Sequence, residues 1–155
     1  MTVDMGGDFG DAATGLEFPA TAQGLRAASE WLERECQSRG VPAEQVMRLD
    51  LCLNEVVANA MAHGGEAAGR APVALGLETG SDDAARCARL CIVDAGNPFN
   101  PLTQDIPPPS ATLGEAAIGG LGLLMLGHCA DGLDYEYRGG RNRLLVTVRW
   151  GGAVS

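Results

Sequence analysis

Three short stretches of the chain place chemically capable residues at spacings that carry meaning. In "LNEVVANAMAHGG", from Leu53 to Gly65, Glu55, Asn59 and His63 recur every fourth residue. On a helix that spacing sets them in one row. The row carries a carboxylate, an amide and an imidazole, all groups able to exchange hydrogen bonds or protons. A solvated face would carry charged pairs instead. In "VDAGNPFNP", Asp94 ends an apolar run and Gly96 follows two residues later. In "IGGLGLLML", Gly119, Gly120, Leu121 and Gly122 open a second apolar run. Glycines at a helix start leave backbone N–H groups open to an anion, where the helix dipole favours negative charge.

The elements that must position these residues follow from periodicity and breakers. The row of Glu55, Asn59 and His63 lies about 100° round from an apolar stripe of Val46, Leu49, Leu53, Val56 and Ala60, at the boundary between buried and exposed. The pattern predicts a helix from about Ala43 to Ala62, stopped by Gly64-Gly65. A preceding helix runs from a Thr21 cap to about Ser38, with Leu25, Ala28, Trp31 and Leu32 on one face. Gly40 and Pro42 separate the two. Short strands are expected at Leu16 to Phe18, in "PVALGLET" and in "ARLCIVDAG", with Gly80 to Ala85 as a turn. The Pro-rich stretch after Asp94 is too broken for one regular element and is long enough to be a lid or binding loop. A buried helix follows Gly120. "LDYEYRG" and "NRLLVTVRW" form a hairpin about Gly139-Gly140. This order predicts an α+β fold. A two-layer sandwich is expected, with a mixed, mostly antiparallel sheet covered by helices on one face.

Composition narrows the function classes. The chain has 155 residues, a formal net charge of −9 and no lysine, so every basic side chain is Arg. Such acidity disfavours direct nucleic-acid binding and suits a basic protein partner. No apolar run reaches the ~18 residues of a membrane span, and the N-terminus lacks the pattern of a signal peptide. Five cysteines without a CxxC pair read as reduced, mostly buried thiols of a cytoplasmic protein. Residues 1–14 are expected to form a flexible N-terminal segment, 15–151 a single domain and 152–155 a tail.

Taken together, the motifs resemble those of the anti-sigma-factor serine/threonine kinases. These are small members of the histidine-kinase-like ATPase superfamily, which also includes gyrase-type ATPases and Hsp90. E-x-x-x-N-x-x-x-H matches at Glu55, Asn59 and His63. D-x-G-x-P-F matches at Asp94, Gly96, Pro98 and Phe99, and G-G-L-G-L matches at Gly119 to Leu123. The closing hairpin matches at Asp131, Tyr135, Gly139, Gly140 and Asn142. The resemblance covers about Leu16 to Trp150.

It implies an ATP-binding domain with a histidine-kinase-like fold. Asp94 would accept from the adenine amino group, and Gly96 would let the backbone approach the base. Asn59 would hold Mg²⁺, and Glu55 would act on the attacking nucleophile as the catalytic residue. Gly119, Gly120, Leu121 and Gly122 would cradle phosphate, with hydroxyls such as that of Thr112. His63 is read as steadying the helix end, and Phe99 and Leu123 as packing residues. The implied partners are a sigma factor and an anti-sigma-factor antagonist, with a possible homodimer.

One departure from the pattern stands out: no Lys or Arg occurs between Arg89 and Arg138. Phosphoryl transfer commonly recruits a cation besides the metal. Two readings therefore stay open, a protein-serine kinase and an ATP-holding partner-switching module without useful kinase activity. A metabolite-binding or metal-dependent hydrolase domain is a weaker third, disfavoured by the paired Asp94 and glycine motifs.

Overall fold

The computed structural model describes residues 14–63, 66–69, 71–81, 85–98 and 129–151. The described residues form β1 (Thr14–Phe18), α1 (Ala22–Ser38), α2 (Ala43–His63), a 3-10 turn (Glu66–Gly69), β2 (Val73–Ser81), β3 (Arg86–Asp94), β4 (Gly132–Arg138) and β5 (Arg141–Trp150). The five strands make one sheet in the order β1-β2-β3-β5-β4. All four ladders are antiparallel, so among the described residues the sheet is antiparallel throughout. This is the expected α+β architecture.

Helix α1 is bounded by its own sequence. The Thr21 hydroxyl accepts from the Gly24 N–H at 3.0 Å, supplying one of the partners that a helix start lacks. At the other end Gly40 takes a φ of 73°, and its N–H reaches Gln37 O at 3.2 Å. The Val41 N–H reaches back to Cys36 O at 2.9 Å. Those two bonds define a Schellman stop, which favours glycine at the left-handed position. Gly24 is required by close approach, because a Cβ there would meet Pro19 O at 2.1 Å.

Strand alternation decides which face meets the helices. Ala88, Leu90 and Ile92 on β3 lie opposite Val148, Val146 and Leu144 on β5. Leu75 and Leu77 on β2 lie opposite Ile92 and Leu90. All are buried and join Ala28, Leu32, Cys36, Leu49, Leu53 and Val57 of the helices in one core. Ala74, Cys91 and Val93 form a smaller buried cluster on the opposite face of the sheet.

Two details differ from the sequence reading. Strand β2 runs through Gly80 and Ser81, which pair with Cys87 and Arg86, so the turn is shorter than Gly80 to Ala85. Backbone pairing extends the strand past the point where side-chain alternation fades. On α2, Cys52 and Val57 are fully buried while Val46 and Val56 are only partly so. The core stripe therefore sits one position round from the expected row, since steps of three and four are both compatible with a 3.6-residue turn. The hairpin forms as expected. Gly139 and Gly140 have φ of 61° and 78°, the two positive values that a type I′ turn needs.

Candidate functional site

Continuing the alternation of β3 past Ala88, Leu90 and Ile92 brings Asp94 to the helix-facing side, at the end of the strand. On β5 the same alternation brings Asn142 to that side, before Leu144 and Val146. The register pairs Asp94 with Asn142 directly. The hydrophobic rows of the core thus end in one buried polar pair, Asp94 and Asn142 being 7% and 6% exposed.

A buried carboxylate is tolerated only with donors around it. The Asn142 amide Nδ2 donates to Asp94 Oδ1 at 3.0 Å, and the Gly96 N–H donates to the same oxygen at 2.9 Å. Asn142 Nδ2 also lies 3.3 Å from Gly96 O and 2.9 Å from Asn97 O. The Tyr135 hydroxyl donates to Asn142 Oδ1. Tyr135 reaches it diagonally, because Tyr137 is the residue opposite Asn142. Asp94 Oδ2 accepts no hydrogen bond among the described residues. The carboxylate is held from one side and presents one open acceptor.

The run of α2 follows from its anchors. Gln45 Nε2 donates to Arg149 O at 3.4 Å, and Arg48 pairs with Asp131 at 3.2 Å. Arg149 is paired with Cys87, at the start of β3, so the first turns of α2 lie over the ladder end remote from Asp94. At 1.5 Å per residue, Asn59 stands about 20 Å along the axis from Gln45. The ladder from Cys87 to Asp94 covers a comparable ~23 Å. Glu55 and Asn59 therefore lie toward the Asp94 end.

Glu55 and Asn59 are half-buried, as the boundary position of their row predicts. Neither makes a hydrogen bond or ion pair among the described residues. The contrast with Asn54 on the same helix is instructive. Asn54 Nδ2 reaches Asp50 O at 2.7 Å and Ser29 Oγ at 3.4 Å, as a structural amide does. Asn59 has polar capacity without a partner among the described residues, which is what a ligand-facing amide requires.

Asp131 ties this assembly together from the opposite end. Its Oδ2 accepts the Arg149 N–H at 2.6 Å, and its Oδ1 faces Arg48. Partial burial pushes the Asp131 carboxyl upward, but the Arg149 N–H and the Arg48 guanidinium outweigh it and leave the pKa below its ordinary 3.8. Among the described residues no group of three or more His, Cys, Asp or Glu forms a metal cluster.

Of the residues singled out in the sequence, the structure joins Asp94, Gly96, Tyr135 and Asn142 in one network and sets Glu55 and Asn59 toward the same end. Thr112, Gly119, Gly120, Leu121, Gly122, Phe99 and Leu123 lie outside the described residues, as do the broken stretch after Pro98 and most of the helix expected after Gly120. Asn142 and Tyr135 were legible only as motif letters. Their service to Asp94 required the β3–β5 register.

Three comparisons extend this geometry. Residues 18–150 match the family described as the histidine kinase-like ATPase domain. The chain is similar to the serine/threonine-protein kinase BtrW of Bordetella bronchiseptica, at 30% identity over 132 residues, which cover 85% of this chain and 90% of that protein. Its fold is similar to the RsbU and RsbW domains of Rv1364c from Mycobacterium tuberculosis, with a TM-score of 0.62 at 16% identity. That match covers 88% of this chain and 32% of the other, so this chain spans about a third of that protein. The SiaB-SiaC complex from Pseudomonas aeruginosa gives a TM-score of 0.51 at 12% identity, covering 88% of this chain and 89% of the matched one. Among the described residues no helix is long and apolar enough to cross a membrane.

Proposed function

Because this chain belongs to the histidine kinase-like ATPase domain family, we propose that it is an ATP-binding protein-serine kinase of the partner-switching kind. It phosphorylates a Ser or Thr of an anti-sigma-factor antagonist and, in its other state, sequesters a sigma factor. The observation that carries this reading is the Asp94 carboxylate, fixed by Asn142 and Gly96, with an Oδ2 that accepts no hydrogen bond from the described residues. That arrangement fits the amino group of adenine, since an ionised carboxylate accepts and never donates. Guanine offers a carbonyl at the same place and is rejected.

The other roles follow from residue chemistry. Gly96 keeps the wall beside the base free of a side chain. Asn59 offers its amide oxygen to Mg²⁺, which neutralises phosphate charge when bound. Glu55, one helical turn earlier and also without a hydrogen-bond partner among the described residues, orients the substrate hydroxyl and takes its proton. Gly119, Gly120, Leu121 and Gly122 supply backbone N–H groups to phosphate, with the Thr112 hydroxyl beside them. Residues 15–151 act as a single ATP-binding domain in the cytoplasm, able to pair as a homodimer. The similarity to a serine/threonine-protein kinase at 30% identity supports the transfer chemistry, and the RsbW and SiaB likenesses support the fold on which it is built.

A second reading is favoured by one specific observation, the absence of Lys and Arg from residues 90–137. It keeps ATP binding and partner exchange and drops phosphate transfer. The two readings separate in one experiment. Wild type and Glu55→Gln are incubated with Mg²⁺, labelled ATP and the antagonist. The kinase reading expects Glu55→Gln to bind ATP nearly as wild type while transfer falls by roughly 10²–10⁴-fold. Transfer at the wild-type rate removes Glu55 from the role. Wild type that binds nucleotide and partner without transferring phosphate establishes the second reading.

A further inference from the structure

Away from Asp94, α1 and α2 enclose a groove of about 440 Å³. One wall is an α1 ridge of Arg26, Glu30 and Glu33, and the other is an α2 ridge of Val46, Met47 and Asp50. Met47 is 58% exposed, the most exposed of the large hydrophobic side chains among the described residues. None of the charges lining this groove makes an ion pair among the described residues, while several arginines elsewhere do. Arg39, Arg48, Arg89, Arg138 and Arg143 each face a carboxylate. Arg26, Glu30 and Asp50 make no ion pair or hydrogen bond among the described residues, although Arg26 and Glu30 are four apart on one helix. Asp50 Oδ1 is closed off from solvent and has no hydrogen-bond partner among the described residues. A carboxylate left that way is costly, and a cation arriving at the groove would offset part of its charge without touching Oδ1.

We propose that this groove docks one amphipathic helix of a partner protein, carrying apolar side chains toward Val46 and Met47 and at least two Lys or Arg toward Glu30 and Asp50. The occupant follows from charge and length. Three carboxylates against one guanidinium, on a chain of net charge −9, attract a basic segment. The same charges repel a second copy of this acidic surface. The α1 ridge from Arg26 to Gln37 is about 16 Å long, the span of a three-turn helix laid in a groove. The neighbouring Gln45 contact with Arg149 puts this surface at the end of the sheet remote from Asp94. Docking here and nucleotide binding are therefore separable, and the proposal does not rest on kinase activity.

The test uses the full chain carrying ¹³C-methyl methionine. It is titrated with a synthetic 14-residue Leu/Lys amphipathic helical peptide, its Leu/Glu counterpart, and a scrambled Leu/Lys peptide of equal charge. The Met47 methyl signal should shift and saturate with the Leu/Lys peptide, while the Met61 methyl, on the last turns of α2, stays in place. The scrambled peptide should bind at least tenfold more weakly and the Leu/Glu peptide not at all. Asp50→Asn and, independently, the more exposed Glu30→Gln should each weaken binding several-fold while ATP affinity is unchanged. Equal shifts at Met47 and Met61, equal binding of the scrambled or Leu/Glu peptide, or undiminished affinity in Glu30→Gln would overturn the proposal. Each of those outcomes leaves the nucleotide reading untouched.

Discussion

Replacing Asn142 with Ala probes the network around Asp94 at its most connected point. The substitution deletes the donor 3.0 Å from Asp94 Oδ1 and the acceptor used by the Tyr135 hydroxyl. It also removes the donor shared by Gly96 O and Asn97 O. A hydrogen bond to a charged group is worth about 1.5–3 kcal/mol, and each neutral one about 0.5–1.5 kcal/mol. Water can replace part of this at the exposed Asn97 and the half-buried Tyr135, but less readily at the buried Asp94 and Gly96. The expected loss of folding stability is therefore about 2–4 kcal/mol. Urea denaturation should show it as a lower midpoint with an unchanged slope. ATP affinity should fall as well, by about tenfold or more, because Asp94 loses the partner that sets its orientation. Asn142→Asp makes the comparison sharper, since it sets a second carboxylate beside Asp94. Its damage should exceed that of Asn142→Ala, because two like charges would then face each other in a buried site. A loss under about 0.5 kcal/mol in Asn142→Ala, with ATP affinity intact, would refute the view that Asn142 holds Asp94.

Two further expectations follow from the titrating groups. Because the Asp131 carboxyl sits below 3.8 in the folded chain, it adds stability above that pH and loses it as pH falls through the folded value. Asp131→Asn should thus lower stability at pH 7, by under ~1 kcal/mol given its exposure, and the difference should vanish once pH falls below the folded value; an effect that does not shrink on acidification in urea titrations would contradict the assignment. Burial pushes the thiols of Cys36 and Cys91 up to about 11 and that of Cys52 up to about 12, so native alkylation at pH 8 should label the half-buried Cys87 and Cys129 first. Mass spectrometry showing rapid labelling of Cys52 would contradict that packing.

Much of the framework was legible because local chemistry and tertiary structure agree. Thr21 and Gly40 bound α1 through backbone bonds that their own types make possible, and Gly139-Gly140 dictates its turn. What depended on distant pairing was not legible. Asp94 and Asn142 lie 48 residues apart and meet only because β5, rather than β4, is the neighbour of β3. The sequence order of the strands does not announce that crossing. The core stripe of α2 shifted from Val56 to Val57 and Cys52 because only the sheet beneath decides which side of the helix is covered. For the candidate site, residue types pointed to Glu55, Asn59 and Asp94. The support that makes Asp94 a fixed acceptor came from side chains that carry no catalytic signature of their own.

The claim on which the account turns is that Asp94 reads an adenine amino group. Calorimetric titration of wild type and Asp94→Asn with ATP and with GTP, each with Mg²⁺, addresses it directly. Wild type should prefer ATP by about ten- to a hundred-fold, the equivalent of one buried charge-assisted hydrogen bond. Asp94→Asn should lose most of that preference while remaining folded. Equal wild-type affinities for ATP and GTP, or an undiminished preference in Asp94→Asn, would contradict it.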